Sequence, residues 1–177
     1  MTNRTLITLV LGCAWVLNAG QNEPTLAKQL EPLRPMIGKT WTGKFKDSTP
    51  EKPTTDVAKW ERILNGQAVR ITHSINDGIY GGETIIMWNA KTKRVEYDYF
   101  TTAGYTTHGT MVMEGQKIVT HEDVAGDADG ITEVKAELEL LPDGHMHVVA
   151  QYLKKGAWVG GHEVTYEATP KAEVRFK

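Results

Sequence analysis

The chain is expected to fold as an all-β, antiparallel up-and-down barrel of about ten strands with one short N-terminal helix, and three features of its 177 residues lead there. From Trp41 onward, short β-branched and aromatic runs are cut by Asn65-Gly66, Asp77-Gly78, Glu114-Gly115 and Pro142-Asp143-Gly144, segments suited to positive φ and so to hairpin turns. Between turns the pattern has period two: Val134, Ala136, Leu138 and Leu140 alternate with Glu133, Lys135, Glu137 and Glu139, apolar on one face and charged on the other. No helical period interrupts the run of strands after Ile37, and a long meander of this kind closes on itself because closure removes its edges.

The first segment has a different grammar. Arg4 supplies a positive start, residues 6–17 are uncharged and mostly apolar, and Ala19 precedes polar Gly20-Gln21-Asn22-Glu23. This pattern marks residues 1–19 as a secretory signal peptide cleaved after Ala19, so the protein is expected to be exported, either periplasmic or secreted. The apolar run is too short to span a bilayer, which takes about 20 residues, and no membrane span is expected later in the chain. Cys13, the single cysteine, lies inside this segment in Val10-Leu11-Gly12-Cys13, which partly matches a lipoprotein box. A lipid anchor at Cys13 is therefore the alternative to ordinary cleavage. On either reading the folded domain has no disulfide to staple it.

Residues 20–37 read as a polar linker and a short capping helix: Leu26, Leu30, Leu33 and Ile37 share a helical stripe, Thr25 is a candidate N-cap, and Pro32 and Pro35 limit its regularity. Its apolar stripe is expected to cover one end of the barrel, which occupies residues 38–168. Strands are placed at 41–46, 57–64, 67–75, 79–88, 94–101, 105–113, 117–124, 131–141, 145–154 and 157–168. Gly81-Gly82 and Gly160-Gly161 inside strands are expected to mark bulges or bends. The tail, 169–177, pairs as a short extra strand or stays unpaired.

The balance of 20 basic and 22 acidic residues, without a basic run, argues against a nucleic-acid partner. Nucleophilic catalysis has no support: there is no Gly-x-Ser-x-Gly elbow, and the serines have no motif around them. The Gly-rich stretches lack the lysine and helix of a phosphate loop. His145-Met146-His147 puts two imidazoles on one strand face, but two ligands do not make a metal site, so none is assigned.

Two histidines fall on apolar faces. One strand groups Val69, Ile71, His73 and Ile75; the last groups Trp158, Gly160, His162, Val164 and Tyr166.

The order of a short helix, Ile37-Gly38, Trp41-Thr42-Gly43, Trp60-Glu61-Arg62-Ile63-Leu64-Asn65-Gly66, a ten-strand meander and a final Tyr166 resembles the bacterial lipocalin-like domains of unknown function. Those are similar in fold to nitrobindins and fatty-acid-binding proteins within the calycin group. The resemblance covers residues 26–166, with one departure: calycins carry Gly-x-Trp, and here Gly38-Lys39-Thr40-Trp41 has one residue more. It implies a barrel with an internal cavity and no established activity. Nitrobindin-like barrels hold haem through a histidine near the chain's end, a position that His162 shares, so His162 is either a haem ligand or a core or rim histidine bonded across strands.

The function expected is binding, without catalysis or a required cofactor, of a small apolar or amphipathic molecule in the interior. Candidate ligand-binding residues are Arg62, His73, Tyr97, Tyr99, Trp158 and His162, with Arg62 as a carboxylate clamp through its planar fork. The other reading makes Arg62 a surface ion-pair partner and His73 structural. Two alternatives use the same barrel: an enzyme, haem-dependent or acting on a lipid-like substrate, or a structural barrel with a filled core.

Overall fold

The computed structural model describes residues 24–115, 117–125 and 129–177. The signal peptide and Cys13 lie outside them. Ten strands form a closed antiparallel barrel: β1 (Thr40–Phe45), β2 (Thr55–Ile63), β3 (Ala68–Ile75), β4 (Tyr80–Asn89), β5 (Arg94–Thr101), β6 (Thr106–Glu114), β7 (Lys117–Val124), β8 (Ile131–Leu140), β9 (Met146–Lys154) and β10 (Ala157–Ala168). Every strand pairs with its sequence neighbours, and β10 closes on β1 through the register Trp41↔Ala168 to Phe45↔Val164.

One end is plugged. Residues Lys28–Leu33 form a 3-10 turn rather than the α-helix expected, because Pro32 falls inside it and no side chain caps its start. Leu30, Leu33 and Met36 from this segment pack with Trp41, Trp60 and Val69 in the core. The Trp41 indole N–H donates to the Met36 carbonyl at 3.3 Å, fastening the plug to β1. Backbone bonds from Ala27 N–H to the Gly66 carbonyl and from Gly38 N–H to the Trp60 carbonyl, each 2.8 Å, hold its two ends.

The turns depart from simple two-residue hairpins. Ile63 pairs with Ala68 and Ile75 with Tyr80, so each connection holds four residues, with positive φ at Leu64, Asn65 and Gly66 and again at Asn76, Asp77 and Gly78. A two-residue loop with positive φ at both positions, as a type I′ turn requires, occurs instead at Lys155-Gly156. Gly160 does mark a bulge: the β9–β10 register shifts between Gly160 and Glu163. Gly81-Gly82 does not, since β3 and β4 pair without interruption from Ala68↔Met87 to Ile75↔Tyr80.

Beyond β10 the tail makes no strand. It crosses the outside of the barrel, where the Arg175 N–H donates to Ser74 Oγ at 3.1 Å and helps cover that buried serine.

Trp41, 1% exposed, is among the largest side chains packed against the plug and is bonded to it through Met36. Replacing it with alanine should cost about 3–5 kcal/mol, as for other large aromatic deletions. A urea midpoint that moves down at unchanged slope is the expected reading; an unmoved midpoint would show that the plug carries no stability.

Candidate functional site

Away from the plug the barrel is hollow. A cavity of about 490 Å³, in the range of small-molecule sites, extends to the strand ends opposite the 3-10 turn. Its apolar walls come from residues such as Ile71, Val134, Leu138 and Val148 on alternating inward positions. The expected inward faces of β3 and β8 are as observed.

A hydrogen-bond chain runs along one wall. The Tyr166 hydroxyl donates to Asp56 Oδ2 at 2.8 Å; His73 reaches Asp56 Oδ1 through Nδ1 at 2.9 Å and the Tyr99 hydroxyl through Nε2 at 2.7 Å. Tyr99 donates to the Tyr80 oxygen at 3.2 Å, and Tyr80 is joined to Tyr105 at 3.0 Å. Both oxygens of Asp56, which is 3% exposed, are thereby partnered, as a buried carboxylate requires. Burial, compounded for Tyr166 by Asp56 and for Tyr99 by Tyr80, pushes both phenols well above the ordinary range. They act as neutral donors.

A second polar centre stands on β7. Glu122 faces the cavity and accepts a hydrogen bond on Oε2 from the Tyr97 hydroxyl at 3.1 Å. Burial raises its pKa above the usual carboxylate value, against the lowering effect of neighbouring hydroxyls. Thr107, 5% exposed, lies beside it, and its hydroxyl has no hydrogen-bond partner among the described residues.

Glycines make room for this wiring. Tyr166, Gly43 and Asp56 form one lateral row across β10, β1 and β2; Tyr97, Gly109 and Glu122 form another across β5, β6 and β7. In each row a β-carbon on the glycine would overlap the tyrosine ring, so the bare backbone lets the phenol lie over one strand and reach the acid beyond it. Gly82 seats Tyr99 in the same way on its path to His73. Gly161 sits under Tyr152, whose hydroxyl lies 2.6 Å from His162 Nδ1.

Of the residues picked from sequence, His73, Tyr99 and His162 line the cavity, and Tyr97 lies behind the lining with its hydroxyl bonded to Glu122. The exposed surface of His162 opens into the barrel rather than toward bulk water: protein surrounds the ring, and this desolvation lowers its pKa. Two picks are corrected. Arg62 sits at the plugged end, donating from Nε to the Thr25 carbonyl and from Nη2 to Thr25 Oγ1 at 3.2 Å, so it is not a clamp in the cavity. Thr25, the expected N-cap, is used here instead. Trp158 is on the outer face, its ring under the Lys135 ammonium at 4.4 Å, because the bulge at Gly160 reverses facing before it.

Sequence reasoning missed Asp56, Tyr80, Glu122 and Tyr152 as cavity residues. Parity offered a signal for Asp56: it lies two and four positions before Ala58 and Trp60, which are both buried. His145 and His147 pair instead with Asp143 and Glu163.

The barrel is similar to the crystal structure of Rv2717c from M. tuberculosis, with a TM-score of 0.60, 16% sequence identity and coverage of 82% of this chain and 99% of that one. At this identity the likeness is one of fold. No protein-family model matches the chain, and no curated protein matches its sequence.

Two outcomes follow from this geometry. Gly43→Ala should cost about 1–3 kcal/mol by overpacking against Tyr166 and Val164, and it should cost less in a Tyr166→Leu background than in the parent, a non-additivity read from denaturation midpoints. Glu122, whose folded pKa is raised, costs no stability below the unfolded value of 4.5, where both states are protonated, and opposes folding as pH rises through the folded value. Glu122→Gln should therefore raise Tm at pH 8 relative to the parent and lose that advantage at pH 4; an advantage independent of pH would contradict a buried, titrating Glu122.

Proposed function

We propose that this protein is a calycin-type binding barrel that holds one small, mainly apolar molecule in its cavity, without catalysis, after export from the cytoplasm. The observation that carries the reading is the cavity itself: apolar walls with a few fixed polar groups are the usual composition of a small-molecule site, where the walls supply affinity and the polar groups set orientation. A filled barrel would have had side chains in that space. The ligand class is narrower than an amphipath of any charge. Among the described residues no lysine or arginine lines the cavity, Arg62 is engaged at the plug, and Asp56 and Glu122 face inward, so a carboxylate ligand would meet like charge without a clamp.

N-phenyl-1-naphthylamine, a neutral apolar fluorophore, tests this. Its emission should rise saturably at one molecule per barrel, and Ala136→Trp, which puts an indole into the cavity from β8, should abolish the rise while far-ultraviolet circular dichroism stays unchanged. Saturable binding that survives Ala136→Trp would place the probe elsewhere and remove the reading.

A second reading is favoured by His162. Tyr152 orients its Nδ1, burial keeps the ring neutral, and its Nε2 has no hydrogen-bond partner among the described residues, which is the state an axial haem ligand needs. The rest of the cavity fits haem less well, since no lysine or arginine among the described residues lines it to meet the propionates. Hemin titration decides it: a Soret shift that is lost in His162→Ala supports haem, and no shift, or one unchanged in the variant, removes it.

A further inference from the structure

The two inward carboxylates differ in how completely the protein satisfies them. Asp56 has a partner on each oxygen, Tyr166 on one and His73 on the other. Glu122 has a single hydrogen bond, on Oε2, from a phenol whose proton is not given up at ordinary pH. Its Oε1 has no partner among the described residues. Beside it stands the Thr107 hydroxyl, more than nine-tenths buried and also without a partner.

A buried polar atom left without a partner is costly inside a protein, and here Thr107 Oγ1 stands on the cavity wall beside a carboxylate that also faces the cavity. The barrel also invests two other positions in holding Glu122 where it is: Gly109 must be bare for Tyr97 to reach it, and Tyr97 is itself buried. Among the described residues no lysine or arginine shares the cavity wall with the carboxylate; the lining residues nearest in its row are Val134 and, one strand further, Tyr152.

We propose that Glu122 is the recognition point for the protonated amine of a small apolar ligand, with Thr107 as an additional acceptor and the apolar walls taking the hydrocarbon. This rests on the ligand-binding reading above and specifies its head group. An ammonium supplies the charge that Glu122 lacks and donates to Oε1 and to the Thr107 oxygen, so each unsatisfied atom gains a partner. Charge-assisted bonds of this kind are about twice as strong as neutral ones, which separates an amine from an alcohol of the same length. A carboxylate ligand gains neither contact.

Displacement of N-phenyl-1-naphthylamine at pH 8 by octylamine, 1-octanol and octanoate provides the test. Octylamine should displace the probe at about tenfold lower concentration than 1-octanol, with octanoate weakest. In Glu122→Gln, which retains the hydrogen-bonding shape without the charge, octylamine and 1-octanol should become equivalent while the probe still binds. Thr107→Val should weaken octylamine more than 1-octanol. Equal displacement by amine and alcohol in the parent, or an amine preference undiminished in Glu122→Gln, overturns the assignment of Glu122 and leaves the binding barrel standing. Failure of the probe and of all three octyl compounds to bind, by fluorescence and by calorimetry, overturns both.

Discussion

Asp56 is a carboxylate kept almost entirely from water inside a barrel, and the interior is arranged around making that tolerable. An unpaired charge in such a place would cost several kcal/mol even after relaxation. Tyr166 and His73 meet its two oxygens, and His73 is in turn held by Tyr99, which leads to Tyr80 and Tyr105. Six side chains, five from five different strands and Tyr105 from the turn before β6, thus depend on one another. A hydrogen-bonded set of this kind is stable when every member is satisfied and costly when one is removed, so it also fixes the geometry of the cavity wall.

The glycines belong to the same constraint. A tyrosine on one strand cannot reach across to an acid two strands away if a β-carbon stands between, and the rows Tyr166, Gly43, Asp56 and Tyr97, Gly109, Glu122 solve this identically on two sides of the barrel. The two rows end differently. At Asp56 the protein completes the acid's hydrogen bonding itself, whereas at Glu122 one oxygen faces the cavity. One site is structural and the other is available, which is the difference on which ligand chemistry turns.

Much of the fold was legible because strand formation here is governed by period-two alternation and turn residues, both local. The ten strands lie within about two residues of where alternation put them, and β3 and β8 show the expected inward faces. The errors arose where facing depends on something nonlocal. Trp158 shares parity with His162 in the sequence, but a bulge between them puts the two on opposite faces. Arg62 has inward parity with Trp60, yet it lies at the plugged end, where Thr25 takes its hydrogen bonds. Gly82 read as a bend because a glycine within a strand has two explanations, a broken ladder or a close neighbour, and only the neighbour distinguishes them.

The sequence by itself determined an all-β meander, its turn positions, the apolar plug and the strand faces that carry His73 and most of the cavity wall, since each of these follows from residues a few positions apart. Tertiary structure alone decided that the barrel is hollow at one end and that tyrosines cross glycines to reach Asp56 and Glu122. Those contacts join residues as far apart as Asp56 and Tyr166. Their register is set by closure of β10 on β1, which leaves no local periodic trace.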